Sequence, residues 1–332
     1  MPDVVFTPRV LTLAVYKMQP VKTPVLDKVF PRKKRALTTP FSWDVKKPSN
    51  LLMQSIAVSA EATVRGGTDK INVTCEAPRF AEKEFISAAD LNEMRKFGTA
   101  SETELLKERI ADEQADMKRN FDLTREFMAV KALSGVIVDK NGKQLVDFGL
   151  PVDHKPVLAG ADLWTDAASD PIADLRGWKK LINRACGGGV SSWQAFCGTD
   201  AMTALINNVK VGDKLMFLAG KQIAEEGRIA RLAQVDIEEY DGSYVNDAGA
   251  VLDMIPDNVF AMVGIVSDGT AELYAPVVDL DAPGGVGKGK EADIFFSKMW
   301  NVQDPSGQWI KVEGRPLPVL TRIVVVWAQV TA

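Results

Sequence analysis

A chain of 332 residues is longer than one core usually serves, which is roughly 250 to 300 residues, so more than one lobe is expected. A hydrophobic content of 46% with 25% charged residues excludes a largely disordered chain. The net charge of -4 argues against nucleic-acid binding by the whole surface, yet it is uneven: residues 1–50 carry ten Lys or Arg against Asp3, Asp27 and Asp44, a balance of +7 that leaves -11 for the rest.

Cys75, Cys186 and Cys197 are odd in number and lack C-x-x-C spacing, so neither a disulfide framework nor a zinc knuckle is indicated, and a reducing compartment suits them. No segment offers the roughly 20 apolar residues of a membrane span, and the amino terminus lacks a basic stretch leading into an apolar run. A soluble protein made in a cytoplasm is expected.

In chain order, the first fifty residues hold Pro2, Pro8, Pro20, Pro24, Pro31, Pro40 and Pro48, a density that predicts an extended arm without a long helix or central strand. Val25, Leu26, Val29, Phe30, Phe41 and Trp43 give the arm apolar anchors. Arg32, Lys33, Lys34 and Arg35 form a basic run, read either as a solvated cluster or as a contact for phosphates or a neighbour's acidic face. Ile56, Val58 and Val64 then follow period two, Arg65-Gly66-Gly67-Thr68-Asp69 makes a turn, and Ile71, Val73 and Cys75 alternate on the way back. This predicts a two-stranded hairpin that needs another surface to lie on. A short helix is expected near Ala88 to Phe97.

The longest helical signal runs from Ser101, the first residue of a capping box with Glu104, to the Ser134-Gly135 stop. Leu106, Ile110, Met117, Phe121 and Met128 fall in one stripe. The pairs Arg109/Glu113 and Asp122/Arg125 read as solvated, worth a few tenths of a kcal/mol each, roughly. Such a rod is about 50 Å long at 1.5 Å per residue, which implies an elongated molecule with the helix lying across a sheet. An Asn-Gly turn at Asp139 to Gly142 joins two short strands. Asp170-Pro171 opens a helix that Gly187-Gly188-Gly189 closes, Trp193 to Phe196 reads as a buried strand, and Thr199-Asp200 caps a helix to about Asn208. Residues 211–290 are strand-rich, with Ala261 to Val266 a core strand. Ile323 to Trp327, apolar on both faces, is expected in the middle of a sheet. The layout is α+β.

Catalytic chemistry is sparse. His154 is the single histidine, placed between Asp153 and Lys155 in a Pro-rich loop, and reads as satisfied or solvated, since no nucleophile motif accompanies it. Gly284-Gly285-Val286-Gly287-Lys288-Gly289-Lys290 satisfies G-x-x-x-x-G-K, but Glu291 stands where a P-loop needs Ser or Thr for magnesium, and a strand-like segment follows instead of a helix. A mobile basic loop is the preferred reading. No cofactor and no metal site is expected.

The order of parts resembles the bacteriophage lambda-type major capsid proteins, the capsid protein E family with the HK97-like fold. The residues that carry the resemblance are Arg65-Gly66-Gly67 with Ala77-Pro78-Arg79-Phe80; Lys131 to Gly135 with the Asp139 to Gly142 turn; Asp236 to Tyr240 with Tyr244 and Ile255 to Asn258; and Lys298-Met299-Trp300 with Asp304-Pro305 and Pro316-Leu317-Pro318. The resemblance implies an N-terminal arm (1–49), an extended E-loop hairpin (50–85), a spine helix with the first part of a P-domain (86–160), an inserted A-domain (161–292), and C-terminal strands returning to the P-domain (293–332). It further implies a structural head protein of a tailed double-stranded DNA phage, assembling as hexamers and pentamers into an icosahedral shell around the genome without sequence-specific binding. Its implied partners are other copies of itself, a separate scaffolding protein, a portal and a decoration protein, and its place is the virion. The basic run and the hairpin residues Ile56, Val58, Val64, Arg65, Gly66, Gly67, Ile71 and Val73 would be assembly contacts. The alternatives are an encapsulin-type compartment and, from another class, a nucleotide-binding enzyme using residues 284–290.

Overall fold

The computed structural model describes residues 7–18, 21–46, 55, 61, 70–87, 102–215, 228–282 and 292–332. The described part of the arm holds no long helix or central strand, but it is not wholly extended. Prolines begin its helices rather than preventing them: α1 (Pro8–Lys17) and α2 (Pro24–Val29) each carry Pro in the first turn, where the missing N–H costs nothing. Leu11 and Val15 of α1 are buried, as are Val25, Leu26 and Val29 of α2. The arm also supplies two strands, β1 (Lys33–Arg35) and β2 (Pro40–Lys46).

Strand β3 (Lys70–Glu76) pairs antiparallel with β2 from Pro40↔Glu76 to Lys46↔Lys70. Phe41, Trp43 and Val45 of β2 turn inward and are buried, while Ser42, Asp44, Asn72 and Thr74 form a hydrogen-bonded polar row outside. Residues 71–75 therefore have a partner from the arm. The expected strand at 56–64, the Arg65 to Asp69 turn, the short helix at 88–97 and the Ser101 cap lie outside the described residues. Strand β4 (Phe80–Ser87) precedes the spine helix α3 (Glu102–Leu133).

The 32 residues of α3 make it about 48 Å long at 1.5 Å per residue. Ile110, Met117, Phe121 and Met128 are buried as the stripe predicts. From Phe127 to Leu133 burial extends nearly all round, so this half runs through the core instead of lying on it. Gly135, with φ +86°, ends the turn, and a Cβ there would come within 2.6 Å of Leu150.

Strands β5 (Val136–Val138) and β6 (Gln144–Asp147) form the expected hairpin, with Asp139 Oδ1 accepting from the N–H groups of Asn141 and Lys143. Helix α4 (Pro171–Cys186) has Asp170 as its cap, accepting from Ala173 N–H at 3.1 Å, and the left-handed Gly187 at its end. After β7 (Ser192–Cys197) come α5 (Thr199–Asn207) and α6 (Val209–Leu215). Thr199 is the first helical residue and not the cap. Gly198 holds the cap position because a Cβ there would meet Asp257 Cα at 2.4 Å.

The remaining strands are β8 (Arg231–Leu232), β9 (Val235–Glu239), β10 (Ser243–Val245), β11 (Val251–Asp253), β12 (Val259–Ile265), β13 (Thr270–Tyr274), β14 (Phe296–Val302), β15 (Gly307–Gly314), β16 (Pro316–Leu320) and β17 (Val325–Gln329). With β1, β4 and β7 they form a five-stranded sheet β17-β12-β7-β9-β8, two three-stranded sheets, β14-β15-β4 and β1-β13-β16, and a two-stranded ribbon β10-β11. The apolar β17 is an edge strand, not a central one. Its outer edge is closed by the loop at 156–158, where Leu158 N–H donates to Gln329 O and Gln329 N–H to Pro156 O, both at 2.9 Å. That cover explains why an edge can be apolar on both faces.

Candidate assembly surfaces

Two kinds of feature come out of this fold: junctions that lock the elements together, and surfaces that stay exposed. The junctions centre on α3. Gln114 and Arg125 occupy positions of the same stripe as Ile110, Met117, Phe121 and Met128, and both are buried. Arg125 makes two parallel bonds to Glu272 of β13, both 2.8 Å, and a third to Asp122 at 2.9 Å, which also accepts from Lys118. Burial works against the Arg125 charge, but the bonds and charge of Glu272 outweigh it and hold the guanidinium protonated above its ordinary range. Asp122/Arg125 is thus a buried pair, contrary to the solvated reading. Its partner Glu272 lies 147 positions away and is invisible to helix spacing.

The Gln114 amide donates to Ser297 Oγ at 2.9 Å, and Ser297 in turn exchanges bonds with Thr12, which fastens α1 to β14. A second ionic network crosses the β14-β15-β4 sheet. Arg79 grips Glu313 at 2.8 and 2.9 Å, Lys311 pairs with Glu313 and Asp279, and Lys298 with Asp279 and Asp281. Burial pushes the Glu313 carboxyl up, but Arg79 and Lys311 overcome that and hold it below its ordinary value.

Of the residues singled out in the sequence, Arg32, Lys33, Lys34 and Arg35 lie exposed on and beside β1, the edge strand of its sheet, with Arg32 donating to Ser267 O. Ile71 and Val73 sit on β3, Val73 half-buried against the core. Ile56, Val58, Val64, Arg65, Gly66 and Gly67 lie outside the described residues, as does the Gly284 to Lys290 run. Residues 292–295 beyond that run are not helical and lead into β14, so no helix begins there to donate N–H groups to a phosphate.

A groove of about 680 Å³ opens between α3, β4, the β5–β6 turn and β10. Phe80, Phe121, Phe127 and Tyr244 line its apolar part and Arg79 and Lys140 stand at its rim. Leu37, Val245 and Val251 are each more than half exposed. His154, by contrast, is closed off: only 2% exposed, it has Nδ1 2.7 Å from Val325 O, so that nitrogen carries the proton and donates. This arrangement joins segments and presents edges and rims.

An arm, a β2–β3 stem and a long helix packed on strands of three sheets make up the HK97-like α+β capsid fold. Solved structures of low sequence identity share it: a putative capsid protein of a prophage of Escherichia coli CFT073 (14% identity, 96% of this chain and 95% of that one, TM-score 0.61), a phage-related protein of Bordetella bronchiseptica RB50 (12%, 98% and 97%, 0.55) and the mature capsid of bacteriophage PhiM1 (11%, 90% and 83%, 0.53). No curated protein matches the chain. The sequence itself matches phage major capsid protein E over residues 7–330, and the chain belongs to that family of structural head proteins.

Proposed function

We propose that this major capsid protein assembles with copies of itself, as hexamers and pentamers, into an icosahedral shell that encloses double-stranded DNA in the virion. Assembly takes place in the host cytoplasm with a separate scaffolding protein, a portal and a decoration protein. The observation that carries the reading is the β2–β3 stem: Lys46 and Lys70 are register partners, so the two ends of the segment 47–69 are held side by side. Ile56, Val58 and Val64 within that segment, with Ile71 and Val73 on the stem, supply apolar side chains for a neighbour. The exposed Arg32 to Arg35 run faces a polyanion or an acidic neighbour. The five segments 1–49, 50–85, 86–160, 161–292 and 293–332 serve as arm, E-loop, spine with the first part of the P-domain, A-domain and returning strands.

The test is electron microscopy of the full chain co-expressed with its scaffolding protein. Closed shells of uniform size are expected. A stable monomer at all concentrations and salts, with and without the scaffold, overturns the reading, and shells that carry enzyme cargo in place of DNA turn it to the compartment alternative.

A further inference from the structure

Glu126 lies on the buried side of α3, 2% exposed, and its hydrogen-bond partners are all neutral. Oε1 accepts from Val25 N–H at 2.9 Å, Oε2 from Leu26 N–H at 3.1 Å, and the Tyr240 hydroxyl donates to Oε1 at 3.3 Å. A residue just before a helix ordinarily satisfies such amides with its own side chain. Thr23 holds that position and makes no such bond; its hydroxyl turns to Asp27 at 3.3 Å. A side chain about a hundred positions away does the capping instead. One carboxyl group thereby ties the arm, the spine helix and the residue after β9 together, under a segment whose Val25, Leu26, Val29 and Phe30 are buried.

We propose that Glu126 is a proton-sensitive latch holding the segment Pro24–Phe30 to the spine helix, closed more tightly when the carboxyl is protonated than when it is ionised. Among the described residues no cation offsets the ionised form. On α2, Asp27 adds a second negative charge and Lys28 is taken by Glu238 of β9; on α3, Arg125 is taken by Glu272 and Asp122; Tyr240 is neutral. Burial raises the Glu126 carboxyl from 4.5 to about 7, more than the bonds from Val25, Leu26 and Tyr240 lower it. The protonated form has a place for its hydrogen. Glu126 O–H donates to the Tyr240 oxygen, and the Tyr240 O–H turns to Met254 Sδ, already 3.2 Å away. Because the docked carboxyl takes up a proton more readily than a solvated one, docking strengthens as pH falls and weakens as pH rises towards about 7.

The test is hydrogen exchange of peptides spanning residues 21–30 in the full chain, from pH 5 to 8, corrected for intrinsic exchange. Wild-type protection is expected to fall about tenfold per pH unit below pH 7 and to level off above it, whereas Glu126→Gln gives a flat profile. A flat wild-type profile, or the same slope in Glu126→Gln, overturns the latch. If Glu126→Gln does not fold, Asp27→Asn decides: removal of the neighbouring charge moves the midpoint to lower pH, and an unmoved midpoint overturns the proposal. The measurement needs no assembled shell, so its outcome is independent of the microscopy.

Discussion

Arg125 holds two buried carboxylates, and the consequence of losing it follows from what is left behind. In Arg125→Met, Glu272 remains buried without a cation, which is expected to destabilise the chain by about 3–5 kcal/mol. The double substitution Arg125→Met with Glu272→Met removes both charges, and Asp122 keeps Lys118, so urea denaturation should show much of the loss recovered. A double variant no more stable than Arg125→Met alone would refute this account. His154 gives a pH dependence of the opposite sign to Glu126. Burial lowers its pKa, more than the bond to Val325 raises it, so the unfolded chain, titrating at about 6.5, binds the proton more readily than the folded one. Its contribution is present above that value and is lost as pH falls through the folded pKa, at no more than about 1.4 kcal/mol per pH unit. Thermal unfolding from pH 7 to 5 should therefore cost the wild type more than His154→Gln, which can still donate to Val325 O but does not titrate. Parallel profiles would remove His154 from the account.

At the scale of elements, what could be read in advance is what local chemistry decides. Asp170, Pro171 and Gly187 bound α4 by capping alone, Asp139 to Gly142 make their turn by side-chain and backbone bonds within five residues, and the burial of β12 is written in its unbroken apolar run. The failures share a cause: the deciding partner is distant in the chain. The arm's prolines suggest extension until Glu126 and β3 provide α2 and β2 with partners. Even so, β2 has a signal of its own, Phe41, Trp43 and Val45 alternating with Ser42, Asp44 and Lys46 between Pro40 and Pro48. The buried junctions of α3 also leave a trace, since Gln114 and Arg125 interrupt an apolar stripe in phase with it. A polar residue in phase with such a stripe is one whose partner lies inside the fold.

For the whole molecule, the resemblance carried by short motifs in their order brings the family into view, but the proposed contacts stay illegible in one chain because the partners proposed for them belong to other copies. The geometry still allows one of them to be isolated. Lys46↔Lys70 closes a ladder of seven register pairs, and both strands are fixed below it by the buried Phe41, Trp43 and Val45. A short Asn-Gly turn can close such a ladder without displacing either strand. Replacing residues 47–69 by that turn should therefore leave the thermal unfolding of the monomer within a few °C of the wild type, a shift that corresponds to about 1 kcal/mol or less in a chain of this size. It should also abolish closed shells, because the proposed burial of Ile56, Val58 and Val64 against a neighbour, worth roughly 1.5 to 3 kcal/mol for each side chain, would be lost. An unfolded monomer would mean that the segment packs on its own chain. A folded monomer that still builds shells would show that assembly does not use it.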